Sequence, residues 1–349
     1  MDRLGKYDFC ATKVREVALR VLFAAALPVL VPVGVVLGAA GIAVRAIGAA
    51  LRTEDFSHWR GEAAEKMLGP DRTFSVLSWN ACLQPGGMSR SHGGMVEPSQ
   101  RIDAVLEQIE REDPDVLALF EMQDTVILKE IAERLKTRYA HFYVHNGLEG
   151  HKDGGGILIA SKYAVSDYSF HRFKDFNGVA KWVNKGFATF SLESEGQKFG
   201  RLFATHMQWG SPEESSATRE KQLQQILDFA GEAYEKEGTP LFLAGDVNID
   251  RDSEEFPPSL LASHFIHGYN DPAPTATDYY ALELWDRDAR PGPGERIDYV
   301  SQIVRLPSGK KLPVDSIRKT VRLVAANEPG NDQILPRSDH HALYAEVKV

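Results

Sequence analysis

The chain has 349 residues, 43% hydrophobic and 26% charged, with 40 Lys and Arg against 49 Asp and Glu for a formal charge of −9. This composition excludes wholesale disorder and a basic nucleic-acid coat protein as starting points. Two cysteines, Cys10 and Cys82, allow at most one disulfide and no paired-Cys metal spacing, which excludes a disulfide scaffold and a zinc finger.

The first element is apolar. Residues 21–44 contain no formal charge, a length that reaches across a bilayer at the helical rise. Arg3, Lys6, Lys13, Arg15 and Arg20 precede the run, and Arg45 and Arg52 follow it. Membrane attachment through residues 21–51 is therefore the expected reading, with a cleaved signal peptide and a buried core helix as its competitors. Pro28 and Pro32 are points where the run can break, because proline removes a backbone donor. A single crossing and a re-entrant hairpin put the rest of the chain on opposite sides, so sidedness stays open.

Residues 53–72 turn polar, with Gly61, Gly69 and Pro70, and read as a connector with one short helix. From 73 to 349 there is no repeat or low-complexity tract, so one large domain is expected after an N-terminal segment, 1–52, and the connector. Ile102, Val105, Leu106 and Ile109 share a helical face, and Asp113 and Pro114 stop that helix before an apolar strand at 116–120. Glu121 sits at the strand's exit. Ala188, Phe190 and Leu192 alternate with polar residues, as strands with one packed face do. Leu223, Ile226, Leu227 and Ala230 repeat the helical spacing before a short strand at 241–244, which Asp246 leaves. Leu343, Ala345 and Val347 alternate again. Amphipathic helices mixed with many short strands predict an α+β fold, a four-layer α/β/β/α sandwich.

Five segments place a metal-capable or proton-transferring group beside a strand end: Asn80 in SWNACLQP, Glu121 in FEMQD, His206 in THMQ, Asp246 with Asn248 in GDVNID, and Asp339 with His340 in SDHH. Taken singly, each reads more readily as a cap, a loop charge or a satisfied strand histidine. Together, Glu121, Asn80, Asp246, Asn248 and Asp339 supply only oxygen donors, which suits Mg²⁺, with Mn²⁺ as a substitute. Asp250 reads as a loop or capping residue.

The ordered set Asn80, Glu121, His206, GDxN at 245–248, RIDY at 296–299 and SDH at 338–340 resembles the endonuclease/exonuclease/phosphatase superfamily. A narrower resemblance, to its neutral sphingomyelinase branch, rests on several stretches. They are FEMQD with Asp124, GGGILIASKYAV at 154–165, NKGF at 184–187, Arg219 with QLQQI at 222–226, SHFIHGYNDP at 263–272, and the apolar N-terminal element. Phe120 departs from the superfamily's frequent Gln.

The resemblance implies attack of water on a phosphodiester phosphorus with help from Mg²⁺. It makes Glu121 the principal metal ligand, with Asn80 and Asp339 beside it, and His340 the general base. Asp246 would position the water, His206 would donate a proton or hydrogen bond, and Asn248 would donate to the developing oxyanion. Asp298 would orient an imidazole, unless it simply pairs with Arg296 or a backbone amide, and Lys185 matches a position near the substrate pocket. His341 is left without a role, and His264 and His267 are expected to make loop hydrogen bonds.

The implied activity is hydrolysis of sphingomyelin to ceramide and phosphocholine, with membrane lipid as partner. A nuclease is less expected; its candidate surface is the basic run Arg305, Lys310, Lys311, Arg318, Lys319 and Arg322. An inositol polyphosphate phosphatase is a third enzymatic candidate, and an inactive membrane-tethered binding module is the non-enzymatic one.

Overall fold

A computed structural model describes residues 4–51, 55–85, 95–147, 154–268, 273–276, 294–314, 319–324 and 337–349. Arg318 and residues 269–272 of SHFIHGYNDP lie outside the described residues. The chain divides into an N-terminal unit, residues 1–52, and a larger body.

In the first unit α1 (Leu4–Ala50) is one continuous helix. Pro28 and Pro32 each remove an amide donor, yet the helix runs through both without the break that they allow. Its segment Arg20–Gly48 has a mean hydropathy of 2.5 and is long and apolar enough to cross a membrane. Side chains such as Val21, Leu22, Val35 and Leu37 are exposed.

The body is built from two sheets. The first contains β1 (Ser57–Arg60), β2 (Thr73–Asn80), β3 (Val116–Phe120), β4 (His141–Val144), β5 (Leu158–Ser161), β12 (Lys319–Val324) and β13 (Ala342–Lys348), in the order β1-β4-β5-β3-β2-β13-β12. The second contains β6 (Ala164–Arg172), β7 (Gly186–Ser194), β8 (Gln197–His206), β9 (Leu241–Asp246), β10 (Phe265–His267) and β11 (Asp298–Ile303), in the order β10-β11-β9-β8-β7-β6.

Among the described strands only β2/β3 and β8/β9 are parallel, and each pair is joined by a crossover helix: α2 (Pro98–Glu112) in the first, α4 (Pro212–Glu237) in the second. The expected helical faces are the ones buried. Ile102, Val105, Leu106 and Ile109 pack with α3 (Thr125–Leu135) on the outer face of the first sheet, and Leu223, Ile226, Leu227 and Ala230 do so on the second. Between the sheets, Phe74, Val76, Phe120, Phe190, Leu202, Phe242, Val300 and Leu343 form the central core. Layers of helix, sheet, sheet and helix result, so the strands at the middle are covered on both faces.

Two expectations are corrected, the first by that double cover. In β7 the polar Thr189 and Ser191 do not meet water: they are buried, with Thr189 accepting from Arg201 and Ser191 donating to Glu237. In residues 53–72 the expected short helix is replaced by the edge strand β1, paired with β4 and packed through Trp59 onto the first outer core. Gly61 makes this close approach possible, since a Cβ there would lie 1.9 Å from the Tyr139 carbonyl oxygen.

Candidate active site

Strand ends bring the functional groups together. Asn80 ends β2 and Glu121 follows β3, its parallel neighbour, with Asn80 paired to Phe120. His206 ends β8 opposite Asp246 at the end of β9, and Asp298 opens β11 opposite the same Asp246. Gly245 permits this pairing, because at φ +154° a Cβ would fall 1.9 Å from the Thr205 carbonyl oxygen. Glu121 and Asn248 hold the left-handed conformation at φ +61° and +56°, which costs side-chain-bearing residues about 1 kcal/mol or more and is a recurrent mark of functional sites.

The Asn80 amide is the hub. Its Nδ2 donates to Glu121 Oε1 at 3.1 Å and to Asp246 Oδ2 at 3.0 Å, while its Oδ1 accepts from the Cys82 amide at 3.1 Å. Gln84 Nε2 donates to the other Glu121 oxygen at 2.5 Å. His206 Nε2 lies 3.5 Å from Asp246 Oδ2 and 4.0 Å from Glu121 Oε1. His340 Nε2 lies 3.9 Å from the same Asp246 oxygen, and its Nδ1 is 2.8 Å from Asp298 Oδ2. A carboxylate only accepts, so that ring nitrogen carries the hydrogen and Nε2 faces the cluster. Asp298 thus pairs with His340, whereas Arg296 binds Asp252.

The remaining predicted residues are each held by their own partners. Asn248 Nδ2 donates to the Met207 carbonyl at 3.3 Å, and its backbone amide donates to Asp246 Oδ1 at 3.1 Å. Lys185 is buried; its Nζ donates to the Met207 carbonyl at 2.6 Å and sits 4.5 Å from the Trp209 ring centre. Asp339 Oδ1 lies 3.2 Å from Ser338 Oγ. Asp250 caps its loop by accepting from the Arg296 amide. His264 and His267 lie at the end of α5 (Leu260–His264) and in β10 rather than in a loop, bonded to Ser263 and Ser301. His341 donates its backbone amide to the Thr275 carbonyl.

Burial and neighbouring charge set the protonation of the cluster. Burial, with Asp298 adding to it, pushes the Asp246 carboxyl up to about 7, and burial brings the Lys185 ammonium down to about 7. Burial, together with Lys185 and His340, holds His206 well below the usual histidine range, hence neutral. Burial also pulls His340 down, but Asp298, Asp339 and Asp246 outweigh it and hold that imidazole well above the usual range. Burial raises Asp339, and the Glu121 charge adds to the shift.

The donor set fits a divalent cation. Asp246, Asp298 and His340 offer ligand atoms within 4.8 Å of one another, and Asp298 Oδ1 is buried without a hydrogen-bond partner. Glu121 and Asp246 both turn an oxygen to the Asn80 amide hydrogens, a weak positive centre standing where a full positive charge would be better matched.

The fold also brings in residues to which the sequence pattern assigns no role, two of them inside the motifs themselves: Gln84 in SWNACLQP and Ser338 in SDH. Ser338 Oγ donates to the Asn80 carbonyl at 2.6 Å and accepts from the His340 amide at 3.1 Å. Thr275 Oγ1 accepts from the Asp298 amide, and Trp79 Nε1 donates to the His340 carbonyl. Arg101, 1% exposed on α2, donates to the carbonyls of Ala81, Cys82, Val96 and Arg337, joining the loops on both sides of the cluster.

An acid, amide and imidazole cluster at one end of two stacked sheets defines a hydrolase-type site on an α/β/β/α sandwich. The pattern of the Endonuclease/Exonuclease/phosphatase family matches residues 77–340, and the chain belongs to that family. Its members are hydrolases acting on phosphodiester bonds. Among curated relatives, sphingomyelinase C of Listeria ivanovii is 24% identical over 221 residues, 58% of this chain and 64% of that protein. Sphingomyelinase C of Leptospira interrogans is 30% identical over 106 residues, 29% of this chain and 19% of that protein. The chain thus matches less than two thirds of either relative's length.

Solved structures share the fold. Beta toxin from Staphylococcus aureus with bound magnesium ions aligns with TM-score 0.57 at 18% identity, covering 79% of this chain and 99% of that one. Truncated TDP2 from Caenorhabditis elegans aligns with TM-score 0.56 at 20% identity, covering 79% and 98%.

Proposed function

We propose that the protein is a divalent-cation-dependent phosphodiesterase that hydrolyses sphingomyelin to ceramide and phosphocholine at a membrane, to which residues 21–51 attach it. The observation that carries the reading is the Asp298–His340 pair, 2.8 Å apart and buried, with Nε2 turned to the Asp246, Asn80 and Glu121 cluster. The sphingomyelinase C relatives support the choice of lipid, and the magnesium in beta toxin supports the choice of cation.

Glu121 and Asp246, which face each other across the Asn80 amide, would hold the cation, with Asn80 and Asp339 beside them. When bound it would polarise a phosphate oxygen and offset the charge that builds as the P–O bond breaks. Asp298 keeps the hydrogen on His340 Nδ1, so Nε2 is the atom that takes the proton of the attacking water. With the carboxylates bare, His340 is held protonated; positive charge at Glu121 and Asp246 opposes this and favours the neutral base.

Asp246, between the two imidazoles, orients the water. Neutral His206 donates a hydrogen bond toward the phosphate or the leaving ceramide oxygen, and Asn248 supplies an amide hydrogen to the charged oxygens. Lys185, bonded to the Met207 carbonyl and lying over the Trp209 ring, braces the loop that follows His206.

A nuclease reading loses its surface. Arg305 and Lys311 face each other in a hairpin after β11, and Lys310 binds Glu235, whereas Lys319 and Arg322 belong to β12 in the other sheet. The basic run is contiguous in sequence and divided in space.

The test is phosphocholine release from sphingomyelin vesicles with and without chelator, beside plasmid and inositol phosphates as competing substrates. Release that requires Mg²⁺ and is lost in Glu121→Ala and His340→Ala supports the reading; plasmid nicking without lipid hydrolysis would replace it.

A further inference from the structure

In the sandwich the chain crosses from β6 to β7 through a short 3-10 turn, Gly178–Trp182. Among the described residues of the sandwich, large exposed apolar side chains such as Met67, Val126, Ile266 and Val314 stand singly, which is normal for a soluble surface. Val179 and Trp182 are different. They lie three residues apart on one turn, and each is 66% exposed.

The turn is not loose. Ala180 at its centre is fully buried, the Val183 amide donates to the Ala180 carbonyl at 3.0 Å, and the Phe173 amide donates to the Lys185 carbonyl at 3.1 Å. Both ends are fastened to the segment that follows His206. On one side the Asn177 amide donates to Gln208 Oε1 at 3.3 Å, and its Nδ2 donates to Ser215 Oγ at 3.1 Å. On the other, Lys185 reaches the Met207 carbonyl and the Trp209 ring. The two apolar side chains are therefore held out rigidly beside the loop that follows His206.

We propose that this turn is a docking surface for a phospholipid bilayer, seating the sandwich with its site against the lipid head groups; the proposal rests on the sphingomyelin reading and names the surface that serves it. Two side chains expose far less than the roughly 800 Å² per partner that a stable protein contact buries, so a second protein is a poor occupant. A bilayer sets no such minimum. An exposed Trp beside an aliphatic residue, with Lys174 and Lys181 exposed next to them and without an ion pair among the described residues, is the composition that settles at a membrane interface. Their ammonium groups match lipid phosphates. The same chain carries in Arg20–Gly48 a helix of bilayer-crossing length.

The test uses the full chain reconstituted in vesicles of phosphatidylcholine and sphingomyelin. With brominated phosphatidylcholine, the wild type should show tryptophan quenching that Trp182→Phe largely loses; equal quenching in both proteins overturns the proposal. Trp182→Asp should lower hydrolysis of vesicle sphingomyelin about 10- to 100-fold, the loss of one buried apolar side chain, and leave hydrolysis of soluble bis(p-nitrophenyl) phosphate unchanged. An equal fall on both substrates overturns it too, because the turn would then be supporting the site. If the wild type turns over the soluble diester but not sphingomyelin, the substrate reading fails, while the quenching comparison still decides the docking surface.

Discussion

Replacing Asp298 with Asn probes the catalytic arrangement with little change in shape. The side chain keeps its size, and the backbone amide keeps its bond to Thr275 Oγ1 at 3.1 Å. What changes is the 2.8 Å contact to His340 Nδ1, in which a buried carboxylate becomes a neutral amide. A hydrogen bond to a charged group is worth about 1.5–3 kcal/mol, so losing the charge alone should cost about 10- to 100-fold in turnover. If the amide hydrogens face the ring, Nδ1 must accept and the hydrogen moves to Nε2, the atom that has to take a proton; tautomer reversal of this kind costs up to about 10⁴-fold.

Asp298→Asn should therefore lower kcat between about 10- and 10⁴-fold with KM nearly unchanged. The acidic limb of the pH profile should move to lower pH, since the largest charge raising His340 is gone. The assay is phosphocholine release across pH 5–9 with saturating Mg²⁺, beside a melting curve to show that the fold persists. Turnover within about threefold of wild type, with an unmoved profile, would refute the role given to the pair.

Three further outcomes test the scaffold. Burial would raise Glu237, but hydrogen bonds from Arg201, Ser191 and Lys198 take it down to about 2. Because the folded value lies below the ordinary carboxylate value, its stabilisation is complete above about pH 4.5 and disappears as the pH falls toward 2. About 2–3 kcal/mol should go with it, and Glu237→Gln should remove that part of the acid dependence in denaturant titrations at pH 7 and pH 3. Arg101→Met should strip four carbonyls of a donor and destabilise by about 3–5 kcal/mol, with Arg101→Lys recovering part of the melting temperature. Gly245→Ala should cost about 3 kcal/mol or more, measured by urea unfolding, since its Cβ would meet the Thr205 carbonyl oxygen.

What is legible in the sequence follows from which interactions are local. Glu121 and Asp246 are visible because a buried apolar run ends at each of them, and a polar residue at such an exit emerges at the sheet's edge. The two crossover helices are visible because their apolar spacing is intrinsic to the helix.

Roles set by tertiary contact are hidden. Arg101 lies on an amphipathic helix where an arginine normally meets water, and only the fold places the Ala81, Cys82 and Arg337 carbonyls around it. Lys185 follows a turn, where a lysine is usually exposed; the loop after His206 covers it. Ser57–Arg60 has no strand signal of its own and takes its conformation from β4. The basic residues from Arg305 to Arg322 show the converse, neighbours in the chain that the sheets carry apart.

The proposed function places phosphodiester cleavage at one cation-binding cluster around Glu121, Asp246 and His340. It is tested most directly by following phosphocholine release from sphingomyelin vesicles by the full chain, wild type and Glu121→Ala, in Mg²⁺ and then in excess chelator. Wild-type release should stop on chelation and resume when Mg²⁺ is restored, with none from the variant. Release that continues in chelator, or that survives in Glu121→Ala, would contradict it.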